Sequence, residues 1–396
     1  MAGIFQGNKF NPTFWAQEGL IHLQESLGMA RRAYWAYSQE RGSTGSNKGD
    51  TVTVTVPGLL TATSDPNRAP EDLQTGARSV VLNLYTKAEF QVSDQDLAYG
   101  SDSIISDHIA QAIYQVVKDV DHRMVSLASR IPYRVAADAD ITNDLINGRT
   151  KLFQNGVPVD REMLHYIVDP TAYASLLRSG IYSSVNIAGA AADPALMRGS
   201  LSERFGVLPF PMQTATVTHT CGTIATQSAA QVAALVGAHA VSSTTLSLDG
   251  ATAALTIKNG DTFGIAGQAQ KYVATTDATV AGGGTVSISV WPPLVIGYVD
   301  NAVVTFDKTP VAGGTYTGLA MFNSKAFAIV PAPLPQSGSQ IGGVLMRTVT
   351  DPETGLSLRA TISYDPSGVG RVIVKYDALF GADLIDPNRA VMICRA

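Results

Sequence analysis

Apolar and polar positions along this chain change period several times, and each change predicts a different element. From about Thr13 to Arg41, Trp15, Leu20, Leu23, Leu27, Ala30, Tyr34 and Tyr37 recur at spacings of three, four and occasionally five. That period predicts an amphipathic helix with a break at Gly28. Met1–Asn11 ahead of it reads as an irregular arm, and GSTGSNKGD (42–50) behind it as a polar linker. Strict Val/Thr alternation over Asp50–Val56 predicts a strand with one apolar face. Pro57, Gly58, Pro66 and Pro70 then predict a long loop to Thr75, and a second strand runs over about Arg78–Phe90. Two strands joined by a long polar tip predict a protruding hairpin; pattern alone leaves an ordinary surface loop equally open.

The strongest period lies in Ser101–Arg130, where Ile105, Ile109, Ala112, Val116, Val120, Met124 and Leu127 repeat at three and four. Asp102 and Asp107 near its start and Arg123 and Arg130 near its end match the helix dipole, and Pro132 stops it. About 29 residues at ~1.5 Å each predict a rod of about 43 Å. Residues 141–210 read as α/β. A helix is expected over Thr142–Asn155 and a buried strand over Arg161–Val168. A second helix is opened by Asp169-Pro170 and closed by Gly180, and another strand follows over Arg204–Met212.

Past Arg204 the chemistry changes: neither Arg nor Glu occurs again before Arg347. Alternating runs at 244–248, 254–257, 262–265, 285–290 and 302–306 are separated by turn signals at 249–250, 259–261, 282–284 and 291–293. Short strands at such spacing predict a small all-β barrel or sandwich. Mixed chemistry resumes after about residue 320, so this module reads as inserted, with return strands at 326–330, 356–364 and 371–376.

Composition narrows the function classes. The chain has 396 residues, 45% of them hydrophobic and 15% charged, which excludes a disordered chain and allows two or three domains. A formal charge of −5 argues against a basic, sequence-reading nucleic-acid binder. Two cysteines, Cys221 and Cys394, are too few for a disulfide framework or a cysteine-rich zinc module and fit a reducing compartment. The first residues, MAGIFQGNKF, show no signal-peptide pattern, and no run of 18 apolar residues predicts a membrane span.

Candidate chemistry is sparse. Gly42–Lys48 clusters Gly, Ser and Lys, but its spacing is wrong for a phosphate loop and a strand follows it. No G-x-S-x-G elbow occurs. Among the histidines, His22, His108, His122, His165, His219 and His239, no pair has H-x-x-x-H spacing. His108 and His122 share a helix face but lie about 21 Å apart along it, which predicts partly buried or interfacial side chains. His219 and Cys221 could put two ligands on one face of a strand; zinc would need two more, and none lies nearby in sequence. A polar strand entering the barrel is the expected reading of that pair. Six Asp-Pro dipeptides serve as turn or helix-start devices. No catalytic, cofactor-binding or metal-binding residue is therefore expected, and no enzyme.

The order of parts says more than any motif. GDTVTVTVP (49–57), VPVDREMLHYIVDPTAYASLL (157–177), LSERFGVLPFP (201–211), KNGDTFGIAG (258–267), GGGTVSISVWPPL (282–294), AFAIVPAPLP (326–335), LSLRATISYDP (356–366) and VIVKYDALFGADLIDP (372–387) follow one another along nearly the whole chain. In that order they resemble the major capsid (coat) protein of tailed bacteriophages, of the short-tailed-phage type with an inserted β-barrel. The resemblance implies an α+β fold: an N-terminal arm and helix (1–49), an extended hairpin (50–92) and a peripheral domain with a spine helix (93–135). An axial α/β domain (136–212), an inserted barrel (213–320) and a C-terminal return (321–396) complete it. It further implies self-assembly into hexamers and pentamers of an icosahedral shell, with scaffolding and portal proteins as partners, packaged dsDNA contacted non-specifically, and no membrane. The place would be the virion capsid, assembled in the host cytoplasm. Arg68, Arg78, Glu71 and Asp72 on the hairpin are expected to make charged contacts between subunits. The alternative left open is a virion decoration or tail-type β-rich binding protein.

Overall fold

The computed structural model describes residues 16–17, 19–21, 23, 27–35, 51–56, 76–95, 103–184, 198–213, 216–227, 233–308, 314–336, 344–350, 356–368 and 370–396. The arm at 1–11, the linker at 42–50, the hairpin tip at 57–75 with Arg68, Glu71 and Asp72, and His22 lie outside the described residues. The chain divides into two compact units, one of residues 1–124 and 327–385, the other of 125–326 and 386–396.

The first unit begins with helical turns that bury Ala16, Leu20, Leu23 and Leu27. Gly19 lets these turns approach closely: a Cβ there would sit 2.9 Å from both Ile113 and Leu358 side chains. The expected break at Gly28 is present, but the helix does not continue to Arg41. A short helix α1 (Met29–Arg32) restarts beyond the glycine, and Ala33 is already extended. Strand β1 (Tyr34–Trp35) follows. The restart is held from a distance, because buried Asp121 accepts hydrogen bonds from Gly28 N–H (2.7 Å) and Ala30 N–H (3.0 Å). A carboxylate supplies acceptors that the first turn of a helix lacks.

Strands β2 (Thr51–Val56) and β3 (Gly76–Val81) form an antiparallel ribbon, with Thr51 opposite Val81 and Val56 opposite Gly76. The single strand expected over 78–90 is instead two, since β3 ends at Val81 and β4 (Leu84–Ser93) starts after Leu82–Asn83. The two strands serve different sheets, β3 pairing with β2 and β4 with the strand 371–384, and buried Leu82 between them joins Val54 and Val80 in one apolar cluster. The long helix α2 (Ser103–Ser126) follows, shorter than expected because its last turn, Leu127–Arg130, tightens to 3-10 geometry. Ile109, Ile113, Val116, Val117, Val120 and Met124 make its buried face.

In the second unit, β5 (Arg134–Ala136) leads to helix α3 (Ile141–Gln154), capped by the Asp140 carboxylate on Thr142 N–H. Strand β6 spans Leu164–Val168, starting three residues later than expected. All five of its residues are buried, as in a central strand covered on both faces. Asp169 caps helix α4 (Pro170–Arg178), with proline at its first turn. Strand β7 (Val207–Pro211) runs parallel to β6, and β8 (Val217–Thr220) follows.

The next eight strands are β9 (Ala233–Leu235), β10 (Thr245–Asp249), β11 (Thr256–Ile257), β12 (Thr262–Ile265), β13 (Lys271–Ala274), β14 (Ala278–Thr279), β15 (Val286–Trp291) and β16 (Val303–Phe306). Six close into a barrel in the order β10-β15-β13-β12-β16-β9, while β11 and β14 pair separately. Alternation drives closure: Leu246, Leu248, Phe263, Ile265, Tyr272, Ile288, Val290, Val304 and Phe306 fill one interior. β9, β13 and β14 were not expected; AAL, KYVA and AT carry too few alternations to stand out.

Strands β17 (Thr315–Asn323), β18 (Phe327–Ala332), β19 (Val344–Thr350), β20 (Ser357–Asp365), β21 (Arg371–Leu384) and β22 (Ala390–Arg395) complete both sheets. The first unit's sheet runs β1-β18-β21-β20-β19, with β4 on β21; the second runs β5-β22-β17-β6-β7, with β8 on β17. The expected strand 371–376 extends to Leu384 because β21 is shared by three partners along its length. At Gly381 a Cβ would meet the Val81 carbonyl oxygen at 2.5 Å, so only glycine lets the ribbon cross there.

Candidate functional site

The densest chemistry in the described residues gathers where β8 meets the turn before β12. His219 lies on β8 and Cys221 just past its end, where Cys221 N–H donates to the Gly314 carbonyl at 2.9 Å. Asp261 ends the turn Lys258-Asn259-Gly260-Asp261, whose left-handed Gly260 (φ +105°) reverses the chain. The Asp261 carboxylate accepts from Lys258 N–H at 2.7 Å, from Gly222 N–H at 3.1 and 3.0 Å, and contacts His219 Nε2 at 2.9 Å. Its walls close because two glycines lack side chains. A Cβ on Gly260 would lie 2.9 Å from His219 Nδ1, and one on Gly222 2.6 Å from an Asp261 oxygen.

Around this core, Tyr316 of β17 packs edge-on to the His219 imidazole, centroids 5.4 Å apart. The Arg134 guanidinium sits 5.1 Å over the Tyr316 ring and donates to the Gly260 carbonyl. Burial pushes the Cys221 thiol up, aided by the Asp261 charge. Cys394, on β22 opposite Gly318, is pushed up to about 12, chiefly by burial. One imidazole nitrogen, Cys221 Sγ and a carboxylate oxygen of Asp261 all lie within 4.8 Å of one another.

Only His219 and Cys221 of this cluster were visible as a pair in sequence, and they were expected to lack further ligands nearby. The structure supplies one, Asp261, forty residues on; the N-G-D turn had signalled only a chain reversal. The expectation of a partly buried or interfacial His108 and His122 does not hold for burial, since both are exposed. His108 stacks obliquely on Phe90, centroids 5.8 Å apart. His165 is buried between Phe210 and Phe322 as a core residue. Arg78 is half-buried on β3, opposite Val54.

A second feature is an apolar surface at one end of the barrel. Loops 236–243 and 292–302 run side by side, tied by reciprocal His239–Tyr298 backbone bonds of 2.9 Å and by Ser242 N–H to the Leu294 carbonyl. They expose Val236, Val241, Val295, Ile296 and Val299, the last at 74% of its full surface. Among the described residues no helix is long and apolar enough to cross a membrane.

No family model and no curated protein matches the chain. Solved structures to which it is similar are of phage capsids and related particles. One, of Mycobacterium phage Che8, is 12% identical, with 93% of this chain and 90% of that one covered and a TM-score of 0.45. Another, the mature capsid of bacteriophage PhiM1, is 10% identical over 93% and 87%, also at 0.45. The capsid of cyanophage P-SCSP1u is 12% identical over 88% and 84%, at 0.44.

Proposed function

We propose that this chain is a major capsid protein that assembles with copies of itself into the icosahedral shell enclosing a tailed phage's dsDNA genome. The observation that carries the reading is the β2–β3 ribbon. It forms a two-stranded sheet that no other described strand extends. Val54 and Val80 at its base pack with Ala328 and Val330 of its own unit. The polar segment 57–75 that joins its strands follows beyond Val56. An isolated two-stranded ribbon is marginal in water and gains stability by packing on something else. A ribbon that no other described strand extends is suited to lie on a neighbouring subunit, where backbone and side chains together hold the contact.

The order of parts along the sequence supports the same reading, as does a barrel built into the chain between β8 and β17. In this proposal hexamers and pentamers form the shell, scaffolding and portal proteins are assembly partners, and the six sequence segments keep their assigned parts. A subunit with net charge −5 does not clamp nucleic acid, so packaged DNA is contained with weak, salt-sensitive contacts. Assembly in the host cytoplasm fits a chain with two cysteines, both buried and unpaired.

The test is to express the chain alone and with candidate scaffolding proteins and image the high-mass fraction by electron microscopy. Closed shells, tubes or capsomer rings are expected. A monomer under every condition would overturn the reading.

A further inference from the structure

We propose that His219, Cys221 and Asp261 form a binding site for a divalent transition-metal ion, zinc by preference, that ties β8 to the turn entering β12. The inference does not depend on the capsid reading. It rests on three different ligand types, an imidazole nitrogen, a thiol sulfur and a carboxylate oxygen, converging within 4.8 Å from two segments forty residues apart. Nitrogen, sulfur and oxygen donors together select borderline ions over calcium or magnesium, which prefer all-oxygen sites.

Two ligands need only a small opening, while Cys221 Sγ, within 4.8 Å of both, closes on the ion by up to about 1.3 Å. Zinc bonds of about 2.0–2.3 Å at tetrahedral angles place ligand atoms roughly 3.3–3.5 Å apart. His219 Nε2 and the Asp261 oxygen stand at 2.9 Å, so an opening of about 0.4 Å admits the ion between them. The remaining lone pairs of Asp261 are already oriented by Lys258 and Gly222 N–H groups, the outer-shell support that metal-binding carboxylates use. Tyr316 fixes the plane of the imidazole from one side. Gly222 and Gly260 leave the space that any side chain would fill.

Charge and protons balance. On binding, the Cys221 thiol releases its proton to solvent, and the His219 proton is carried on Nδ1 so that Nε2 can ligate. The carboxylate and thiolate then neutralise the dication, and water completes four-coordination. Arg134 stays engaged by the Tyr316 face and the Gly260 carbonyl beside a neutral centre.

Cobalt(II) is the probe, because a thiolate ligand gives it a near-ultraviolet charge-transfer band and a tetrahedral site gives intense visible bands. Titration of the full-length, metal-stripped chain is expected to reach both at one equivalent, with loss on adding zinc. Cys221→Ser is expected to abolish the charge-transfer band, and Cys394→Ser, which removes the other thiol, to keep it. Asp261→Asn is expected to weaken zinc binding by about tenfold or more, read by calorimetry. Circular dichroism on each variant separates loss of a ligand from loss of the fold. A wild-type chain that gives no cobalt bands while folded overturns the proposal. So does a charge-transfer band that survives Cys221→Ser or disappears in Cys394→Ser.

Discussion

Asp377 has no exposed surface, yet it carries a charge. It stands on β21 opposite Arg359 of β20, which reaches its two oxygens at 2.9 and 2.5 Å. The Tyr85 hydroxyl donates at 2.6 Å and Lys375 lies at 3.1 Å. Burial works to raise the Asp377 pKa, but the Arg359 and Tyr85 hydrogen bonds outweigh it and hold the group below the ordinary carboxylate value. A carboxyl with a lowered folded pKa contributes stability that is present above its unfolded value of about 3.9 and is lost as pH falls through the folded value. Acidification below about pH 4 is therefore expected to weaken this unit through Asp377. Asp377→Ala leaves the half-buried Arg359 guanidinium with the Pro335 carbonyl but without its carboxylate, and a loss of about 3 kcal/mol is expected in denaturant unfolding at neutral pH. Tyr85→Phe removes one hydrogen bond to a charged group and should cost less, about 1.5–3 kcal/mol. If the two variants lose equal amounts, the ion pair is not the main term. Nothing in the sequence marks Asp377 as special. Lys375 is its neighbour on β21, but Tyr85 and Arg359 come from β4 and β20, and only strand register brings them to it.

That contrast extends to whole elements. The face of α2, the Val/Thr run of β2 and the alternating strands of the barrel were legible, because each writes its burial into a local period. Elements whose reason lies elsewhere were not. β1 exists because Tyr34 and Trp35 pair with Ala328 and Ile329, and α1 begins where Asp121 supplies its acceptors. β22 is a uniform buried run, AVMICR, that could equally be read as part of a core helix. In the His219, Cys221 and Asp261 cluster the His-x-Cys pair was visible but Asp261 was not, since a turn at Gly260, not sequence proximity, delivers it. The ribbon carries its own prediction. Val56 pairs with Gly76, so replacing 57–75 by Asn-Gly closes it with a two-residue turn. Closing a shorter loop costs slightly less entropy, so the melting temperature should hold or rise a little. Assembly, followed by light scattering and electron microscopy, should be lost. Shells that form normally with the shortened ribbon would remove the segment from any role between subunits.

At the scale of the whole molecule, the question is what kind of force would hold copies together. Each copy carries a formal charge of −5, so copies repel one another at long range. Raising salt from about 0.1 M to 1 M shortens the screening length from about 10 Å to 3 Å and removes most of that repulsion. It also weakens exposed ion pairs, including any that Arg68, Arg78, Glu71 and Asp72 make across a contact. The two effects pull in opposite directions, so the sign of the salt response reports which dominates. The long stretch without Arg or Glu between 204 and 347, and the exposed Val241, Val295 and Val299 on the barrel loops, favour contacts that are apolar and backbone-mediated. Such contacts are not screened, and are strengthened by salts excluded from protein surfaces. The concentration needed for assembly, read by sedimentation or light scattering, is therefore expected to fall as sodium chloride or sodium sulfate is raised. A rise would mean that the charged hairpin contacts carry the association, and charge reversal at Arg78 should then abolish it.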